Sequence, residues 1–568
     1  MKKWKKTSTA LAAVLTASTL LAGCGNGGGS GDAGTQGDAG SQGQASGSQD
    51  QSAGTQSGAP HQIGDGSVTL KVFCDFQNAA RSYYTDLGDN PVVQWIEKDT
   101  GLTLEFIHAP AGDDGTFFQN MLAGGDLPDL IFSSRFQTHY PGGVEGAIND
   151  GVLYDVTELV EQNAPNFWAL CDEEQDPDIQ RKIRGDQGMI IKFGSTFLPP
   201  TDNNKVFNGL VIRQDWLEKY NLEAPVTLDE YTEVLRTFKE NGVEYPLALC
   251  EFFNQSQFSA NNPIASAFGV SVKEFDLDAD GNVHYCRTQD GYKEFLKFLH
   301  GWAEEGLIDE DLVSRTIDDS LRLFQGGQAG MCFAHTYNVK QSVAVGPATD
   351  PAFKLLCLEM PKVNAIDETH LSTPTRSINS NSWQVSADCK HPEEAVAFVD
   401  YLMSPDTLLL TAWGTNEGEN KTYQVNADGQ REFTEFVTNN PDGLDYDTVR
   451  ALNMCAPFQI KYDETMEASQ YSEAECHQSW DAWGKQNDGA YNLPRYLTLT
   501  TAESEELTRI KQDLANYSDE MVYKFIFGQE DIDANWDAFV AELERLGSTR
   551  GEEINKEAYD RYLNRGNN

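Results

Sequence analysis

The segment MLAGGDLPDLIF at residues 121–132 decides the fold of the region around it. Residues 117–123 are predicted to form a helix, and the run Gly-Gly-Asp-Leu-Pro separates that helix from residues 129–132. A short apolar run that follows such a break is typical of a buried strand. The segment therefore predicts a helix that returns the chain to a sheet.

The residues before this segment alternate between strand and helix patterns. Val68, Leu70 and Val72 recur at period two, residues 90–100 have the apolar spacing of a helix, and residues 102–106 alternate again. The order strand, helix, strand, helix, strand implies a parallel sheet with right-handed crossovers. The predicted fold class is α/β, with parallel-rich sheets flanked by helices.

Polar side chains follow the first and third predicted strands. Asp75 and Asn78 follow the first strand, and Arg135 follows the third. Ligands of parallel sheets bind beyond the carboxyl ends of the strands, so these three residues are candidate ligand-binding residues. The alternative for Asp75 and Arg135 is a salt bridge with each other at the rim of the sheet.

A second region begins near Leu210 and is richer in helix signals. Thr227 and Glu230 have the spacing of a capping box, and the apolar residues after them predict a helix with one face on a core. Further helices are predicted around residues 292–305, 392–403 and 535–546. We therefore expect a helical C-terminal region.

The run DLDADG at residues 276–281 has the opening of a calcium-binding loop. The twelfth position of that loop is Arg287, where calcium requires a bidentate glutamate. Val283 and Tyr285 alternate like a strand, so a hairpin turn is the preferred interpretation. The sequence predicts no metal site.

The N-terminus has the pattern of a lipoprotein signal peptide. Lysines at positions 2, 3, 5 and 6 precede an apolar run at 10–21, and Leu-Ala-Gly-Cys occupies positions 21–24. The run is too short to span a bilayer, and the last four residues resemble a bacterial lipobox. We expect residues 1–23 to be removed and Cys24 to be lipidated, which anchors the chain to the outer face of the cell membrane. The alternative is an ordinary secreted protein.

Charge and cysteine content exclude several classes of protein. The chain has 88 acidic and 42 basic side chains, and loss of the four signal lysines changes its formal charge from −46 to −50. Such a surface repels nucleic acid and anionic lipid headgroups, so no nucleic-acid partner is expected. Nine cysteines besides Cys24, without a C-x-x-C motif, predict buried apolar residues and neither a disulfide scaffold nor a zinc site.

Seven motifs follow one another over nearly the whole mature chain. They are MLAGGDLPDLI (121–131), IRQDWLEK (212–219), APVTLDEY (224–231), FQGGQAGM (324–331), HPEEAV (391–396) continuing to Met403, WGTNEG (413–418), and a tail from FIFG (525–528) through Trp536 to AYDRY (558–562). In this order they resemble the family 1 extracellular solute-binding lipoproteins of ATP-driven importers. The branch that contains alginate-oligosaccharide binders is the most similar.

The resemblance implies two α/β lobes that close on a sugar by a hinge and then dock on a membrane permease. It also implies a monomer without a cofactor. Calcium and alginate specificity are not carried over, because residues 240–246 are too few and too poor in carboxylates for the family's calcium loop. The expected division has five parts. Residues 1–23 are the signal peptide, and residues 24–66 are the lipidated cysteine and a disordered linker with a span of about 35 Å. Residues 67–205 form the first lobe, residues 206–400 form mainly the second lobe, and residues 401–568 form a helical region that completes both lobes.

Sugar binding requires flat aromatic surfaces and fixed hydrogen-bonding groups. Trp413 and Trp383 are expected on cleft-facing loops, and Tyr337 follows an apolar strand, so these three are candidates for stacking on a ligand. For each, the alternative is core packing. His335 is a candidate hydrogen-bond donor or a structural histidine, and Arg213 binds ligand or else pairs with Asp215 at the crossing between lobes.

Two other functions stay open. A surface-anchored glycan-cleaving enzyme needs two carboxylates about 5 to 10 Å apart, and counting acidic residues does not exclude it. No H-E-x-x-H or G-x-S-x-G motif is present in the sequence. A binding protein for another small solute, such as a peptide, would share the same fold.

Overall fold

The strands form two four-stranded sheets and two hairpins in the described part of the chain. A computed structural model describes residues 61–74, 78–174, 176–197, 206–252, 262–272, 275–371, 378–461, 471, 473–485 and 487–565, without the side chains of Asn78 and Asp114. The strands are β1 (Thr69–Phe73), β2 (Thr103–Ile107), β3 (Leu130–Ser133), β4 (Asn208–Arg213), β5 (Tyr245–Ala248), β6 (Phe275–Leu277), β7 (Val283–Tyr285), β8 (Ala329–His335), β9 (Leu355–Cys357), β10 (Ser382–Val385), β11 (Tyr423–Val425) and β12 (Arg431–Phe433).

Helices connect these strands and make up the C-terminal region. The α-helices are α1 (Pro91–Thr100), α2 (Asp114–Gly124), α3 (Arg135–His139), α4 (Gly143–Asn149), α5 (Thr157–Asn163), α6 (Pro165–Leu170), α7 (Ile179–Ile183), α8 (Gln214–Tyr220), α9 (Leu228–Glu240), α10 (Pro263–Ser266), α11 (Asp290–Glu304), α12 (Ile317–Gln325), α13 (Thr336–Thr349), α14 (Pro392–Leu402), α15 (Pro405–Trp413), α16 (Glu435–Thr438), α17 (Tyr446–Asn453), α18 (Ala474–Trp483), α19 (Thr501–Ile526), α20 (Ile532–Leu546) and α21 (Ser548–Asn564). Short 3₁₀-helices lie at Asn78–Ala80, Leu87–Asp89, Cys286–Thr288, Glu310–Val313 and Ala456–Phe458.

The first sheet has the strand order β10-β3-β1-β2. β1 pairs in parallel with both β2 and β3, and α1 and α2 are the crossovers, so the predicted strand–helix–strand–helix–strand unit is confirmed. Asn90 caps α1 by accepting a hydrogen bond of 2.8 Å from the Val92 N–H. β10 adds an antiparallel strand beside β3, which the sequence did not predict.

The second sheet has the order β5-β8-β4-β9. β5 and β8 are parallel, and β4 is antiparallel to both of its neighbours. A side chain at Gly209 of β4 would clash with Trp483 of α18, so glycine lets this helix pack directly on the sheet. The capping box of α9 is confirmed, because Thr227 Oγ1 accepts from the Glu230 N–H and Glu230 accepts from the Thr227 N–H.

Each sheet has its own hydrophobic core. Residues between Val68 and Phe197, together with those between Ile378 and Ile460, form a cluster around the first sheet. The cluster around the second sheet also includes Leu507, Phe525 and Trp536 of the C-terminal helices. The C-terminal helices therefore pack mainly on the second sheet.

Three chain segments that connect the first sheet to the second lie side by side. Phe197 forms an antiparallel bridge with Ile378 and a parallel bridge with Lys461. Elsewhere, Arg561 and Arg565 at the end of α21 each donate a hydrogen bond of 2.7 Å to Asp186, which precedes the first of these passages. The C-terminal helix thus contacts both parts of the fold.

The described residues also show the structure of the calcium-like loop, the burial of the cysteines and the apolar character of the helices. β6 and β7 pair as an antiparallel hairpin, which confirms the preferred interpretation of residues 276–281. The nine cysteines from Cys74 to Cys476 are all buried, as predicted. Among the helices that the structure describes, none alone has the length and apolar composition to cross a membrane, and only α14 and α15, bent by 66°, reach it together.

Candidate functional site

The carboxyl ends of β1, β2 and β3 share one edge of the first sheet, where β10 begins. Arg135 starts α3 at this edge, and its guanidinium lies against Gly115 of α2, within 3.2 Å of where a Cβ would be. Buried Lys192 donates a hydrogen bond of 2.8 Å to the Ser380 carbonyl just before β10. The charged groups of this edge therefore contact the protein's own chain.

The corresponding edge of the second sheet carries aromatic rings. We define the aromatic cluster as Phe207, His335, Tyr471 and Trp480. Phe207 stacks on His335 with centroids 5.9 Å apart and 12° between planes, and Trp480 of α18 meets Phe207 edge-on at 6.2 Å. Tyr471 lies edge-on to Trp480 at 5.9 Å. Phe207, His335 and Tyr471 are only half-buried, so part of the cluster is open to solvent.

We take the space between these two edges as the candidate cleft, because side chains of the two sides meet there. α17 belongs to the first sheet's side, because the Asn90 amide donates to the Ala451 and Met454 carbonyls at 3.2 and 2.9 Å. Lys340, on α13 directly after β8, places its ammonium 4.6 Å from the ring centroid of Tyr446 on α17. A lysine on the second sheet's side thus lies over an aromatic ring on the first sheet's side.

His335 contributes a fixed hydrogen-bonding group to this cleft. Its Nδ1 accepts a hydrogen bond of 3.2 Å from the Tyr337 N–H, which assigns the ring proton to Nε2 when the imidazole is neutral. Burial lowers the pKa of His335 to about 4, so the ring is neutral at pH 7. Tyr337 itself is 48% exposed in the first turn of α13.

The predicted position of Trp413 on a loop is wrong. Trp413 is the last residue of α15, and Gly414, with φ +75°, follows the helix. The ring is 1% exposed and lies 4.6 Å from Phe433 and 5.9 Å from Tyr423 between centroids. The apolar run before it continues the helix up to this tryptophan, and the ring presents no face to a ligand in this conformation.

Trp383 also lies inside a core. It is the second residue of β10, 2% exposed, with its ring 5.1 Å from Phe132 and 5.8 Å from Phe458. Because Trp383 lies in β10 and not in the loop before it, the strand directs this side chain into the packing of the first sheet. A ligand contact by Trp383 stays a prediction that this burial does not favour.

Arg213 is fully buried at the end of β4. It donates two hydrogen bonds of 2.8 and 2.7 Å to Asp215 and one of 2.6 Å to Asp350, and it lies against the Trp216 ring at 4.5 Å. The alternative that Arg213 and Asp215 hold each other is confirmed. Its side chain has 0% exposure, and a ligand contact by Arg213 stays a prediction that this burial and pairing do not favour.

Three predicted residues are not located by their side chains. Cys24 and Asp75 lie outside the described residues, and Asn78 is described only by its backbone at the start of a 3₁₀-helix. Their predicted roles, and the proposed pairing of Asp75 with Arg135, stay predictions.

The structure adds site residues that the sequence analysis missed, namely Phe207, Tyr446, Tyr471 and Trp480. These residues are brought together from segments far apart in the chain, so no local spacing connects them. A partial signal was present for Phe207, which directly precedes the apolar strand β4. An aromatic residue beside the end of an apolar strand is the same signal that marks Tyr337.

Two cavities lie outside the aromatic cluster. One, of about 850 Å³, is lined by Arg184, Asp186, Arg561 and Arg565 among others, and several of these charges pair with one another. The other, of about 630 Å³, lies between α3 and the start of α19. Within the described ranges, no group of three or more His, Cys, Asp or Glu side chains is placed to hold a metal.

The sequence profile of the bacterial extracellular solute-binding proteins matches residues 79–408, which is more than half of the chain. The chain belongs to this family. The family is extracellular, and the relatives described below are binding proteins by their names.

Curated relatives of this family member span most of its length. A fructooligosaccharide ABC transporter substrate-binding protein of Streptococcus pneumoniae, FusA, is 22% identical over 521 residues, covering 84% of this chain and 88% of its own. The polygalacturonan/rhamnogalacturonan-binding protein YtcQ of Bacillus subtilis is 21% identical over 492 residues, with the same two coverages, 84% and 88%.

Solved structures confirm the two-lobed α/β fold. The calcium-free crystal structure of the alginate-binding protein AlgQ2 superposes with a TM-score of 0.67 at 21% identity, covering 88% of this chain and 99% of that one. At this identity the match shows the fold alone.

Proposed function

We propose that the mature chain captures an oligosaccharide in the cleft between the two sheets and delivers it to an ABC permease. The observation that carries this proposal is the aromatic cluster at the edge of the second sheet, opposite α17 of the first. Half-buried rings next to fixed N–H donors suit the apolar faces and hydroxyl rim of a sugar. Relatives that bind fructooligosaccharides and polygalacturonan support the same class of ligand.

We expect the sugar to be neutral. The formal charge of −46 on the whole chain disfavours approach of a polyanion. His335 is neutral at pH 7, so the donor that it offers carries no positive charge toward an acidic sugar. The chain acts by binding and release and does not cleave the ligand.

The anchor is part of the same proposal. Lipidation of Cys24 would hold the chain on the outer face of the membrane, with residues 25–60 as a tether that spans about 33 Å and clears the headgroups. Ile63, Gly64 and Gly66 donate backbone hydrogen bonds to Thr100 and Gly101, so the tether ends before them and not at residue 66 as predicted. Replacing Cys24→Ser should release the protein into the medium, and fractionation of cells checks this. Retention of the variant in the membrane fraction would contradict the lipid anchor.

Titration calorimetry with a sugar panel tests the main function. The panel contains kestose, trigalacturonate, an alginate trisaccharide, lacto-N-tetraose and a tripeptide, and each mixture is analysed afterwards by chromatography. We expect micromolar or tighter binding of one neutral sugar, about −8 kcal/mol or better, with the sugar recovered intact. Shortened sugars would indicate an enzyme, and binding of the tripeptide alone would indicate a peptide-binding protein.

A further inference from the structure

Asn208 is a buried polar residue next to the aromatic cluster. It is the first residue of β4 and only 5% exposed. Within the described residues, its Nδ2 has no hydrogen-bond partner. Most buried polar side-chain atoms in folded proteins are hydrogen-bonded, and leaving a buried donor unpaired is destabilising, so this amide requires an explanation.

The position of Asn208 in the sheet gives that explanation. It lies directly opposite His335 in the antiparallel pairing of β4 with β8. The neighbouring pair is joined by a backbone hydrogen bond of 2.9 Å from the Thr336 N–H to the Phe207 carbonyl. Asn208 and His335 are therefore a non-hydrogen-bonded pair, whose Cβ atoms lie about 4.5 to 5.5 Å apart on the same face.

Two N–H donors consequently lie side by side at the edge of the cleft. The Nδ1 of His335 is occupied by the Tyr337 N–H, so the neutral ring offers its Nε2–H. The Asn208 amide offers Nδ2. The ring of Phe207, the residue before Asn208, stacks on the same histidine and places an apolar surface beside the donors.

We propose that Asn208 is a ligand-recognition residue, whose amide donates a hydrogen bond to an oxygen of the sugar unit that stacks on Phe207, next to the Nε2–H of His335. This inference rests on the proposed function and adds a specificity-determining residue to it. The donor pair selects a sugar unit that presents two neighbouring acceptor oxygens. A sugar lacking one of these oxygens leaves a buried donor unpaired and is rejected.

The test combines affinity with thermal stability for Asn208→Leu, which keeps the approximate size of the side chain and removes the donor. We expect the affinity for the panel sugar that binds the wild type most tightly to fall about tenfold, the loss typical of one neutral hydrogen bond. We expect the melting temperature of the sugar-free variant to equal or exceed that of the wild type, because no internal hydrogen bond is lost.

Asn90→Leu is the matched control. Asn90 is also a buried asparagine, with 0% exposure, but its side chain makes hydrogen bonds to Val92, Ala451 and Met454. This control should lower the melting temperature. Asn208→Asp, which preserves shape but replaces the donor by an acceptor, should lose at least as much affinity as Asn208→Leu.

The outcomes separate this inference from the proposed function. Unchanged affinity of Asn208→Leu overturns the inference and leaves sugar binding intact. A melting temperature lowered as much as in Asn90→Leu also overturns it, because Asn208 then has a structural partner. Failure of every panel sugar to bind the wild type contradicts the proposed function itself.

Discussion

Each sheet carries a phenylalanine stacked on a histidine, yet the two pairs have different surroundings. Phe106 of β2 stacks on His108, just after that strand, with centroids 5.9 Å apart and 8° between planes. Phe207, just before β4, stacks on His335 of β8 at 5.9 Å and 12°. His108 Nε2 accepts a hydrogen bond of 3.2 Å from the Leu87 N–H. In the described chain, His335 Nε2 has no such partner.

This difference in hydrogen bonding suggests that the same residue types have a structural role in the first sheet and a ligand-binding role in the second. In the first sheet the aromatic and charged side chains contact their own chain, as Phe106 does with Phe458 at 6.2 Å. In the second sheet, Phe207, His335 and Tyr471 are only half-buried, and Asn208 Nδ2 has no hydrogen-bond partner among the described residues. We infer that the first sheet supplies mainly a rigid wall and the second supplies the recognition surface.

The largest expected effect is the loss of stability in Trp383→Ala. Its ring is enclosed by Phe132, Phe398 and Phe458, so truncation should lower the free energy of unfolding by about 3–5 kcal/mol. Urea unfolding at pH 7 measures this, and the folded fraction should keep its affinity for the panel sugar. A small loss of stability with abolished binding would place Trp383 in the binding site. It would contradict the inference that the first sheet supplies mainly a rigid wall.

Trp413→Ala serves as the control for this prediction. Trp413 is similarly buried, at 1% exposure, but packs in a separate cluster with Phe433. It should show a comparable loss of stability and no change in affinity. A loss of affinity here alone would restore the role that the sequence assigned to Trp413.

The second prediction concerns pH and His335. Its pKa is about 6.5 in the unfolded chain and is lowered by burial to about 4 in the folded protein. The unfolded state therefore binds a proton that the folded state excludes between these values. The resulting stability is complete above pH 6.5 and is lost as the pH falls toward 4, by at most about 3 kcal/mol.

The variant His335→Gln isolates this contribution from the other acid-sensitive groups. The free energy of unfolding is measured at pH 7 and pH 4.5 for both proteins, and the wild type should lose about 2–3 kcal/mol more than the variant. Burial also lowers the pKa of His108 and His284, and their contributions are the same in both proteins. Equal losses would show that His335 is solvated and can be protonated in the cleft.

Local patterns in the sequence predicted the first sheet well. The parallel unit of β1, β2 and β3 is built from consecutive segments, so period-two and helical spacings were sufficient. The strand β10 and the mixed pairing of β4 depend on contacts between distant segments, which no local period encodes. The capping box at Thr227 was predictable because it depends on neighbouring residues alone.

The site was less predictable for the same reason. His335 and Tyr337 were found because they follow an apolar strand, whereas Trp480 and Tyr471 reach the cluster from a different segment of the chain. Trp413 was wrongly predicted to lie in a loop, because the residues after it are rich in Gly, Asn and Thr. The residues before it form a helix that ends at this tryptophan. Burial decided between stacking and packing, and burial is a property of the whole fold.

Phe207→Ala should reduce affinity by about tenfold, equivalent to about 1.4 kcal/mol. The ring is half-buried and stacks on His335, so its removal takes away the apolar surface beside the donors. The matched control is Phe106→Ala, which removes the equivalent ring from the first sheet. Calorimetry with the same panel sugar should show loss of affinity only for Phe207→Ala, and equal losses would assign recognition to both sheets.

The smallest expected effect concerns the contact between the two sides of the cleft. The Lys340 ammonium lies 4.6 Å from the Tyr446 ring, and a cation–π contact of this kind contributes about 0.5–1 kcal/mol. Lys340→Met keeps the aliphatic stem and removes the charge. The closed form should become less populated, so affinity should fall about two- to fivefold.

Small-angle scattering distinguishes this effect from a direct ligand contact. Without sugar, Lys340→Met should have a larger radius of gyration than the wild type, and saturating sugar should bring both to the same value. The control is Lys219→Met, because Lys219 lies 4.7 Å from the ring of its neighbour Tyr220 and connects no separate parts of the fold. Lower affinity with an unchanged radius would mean that Lys340 contacts the sugar directly, and recognition would then extend from the end of β8 onto α13.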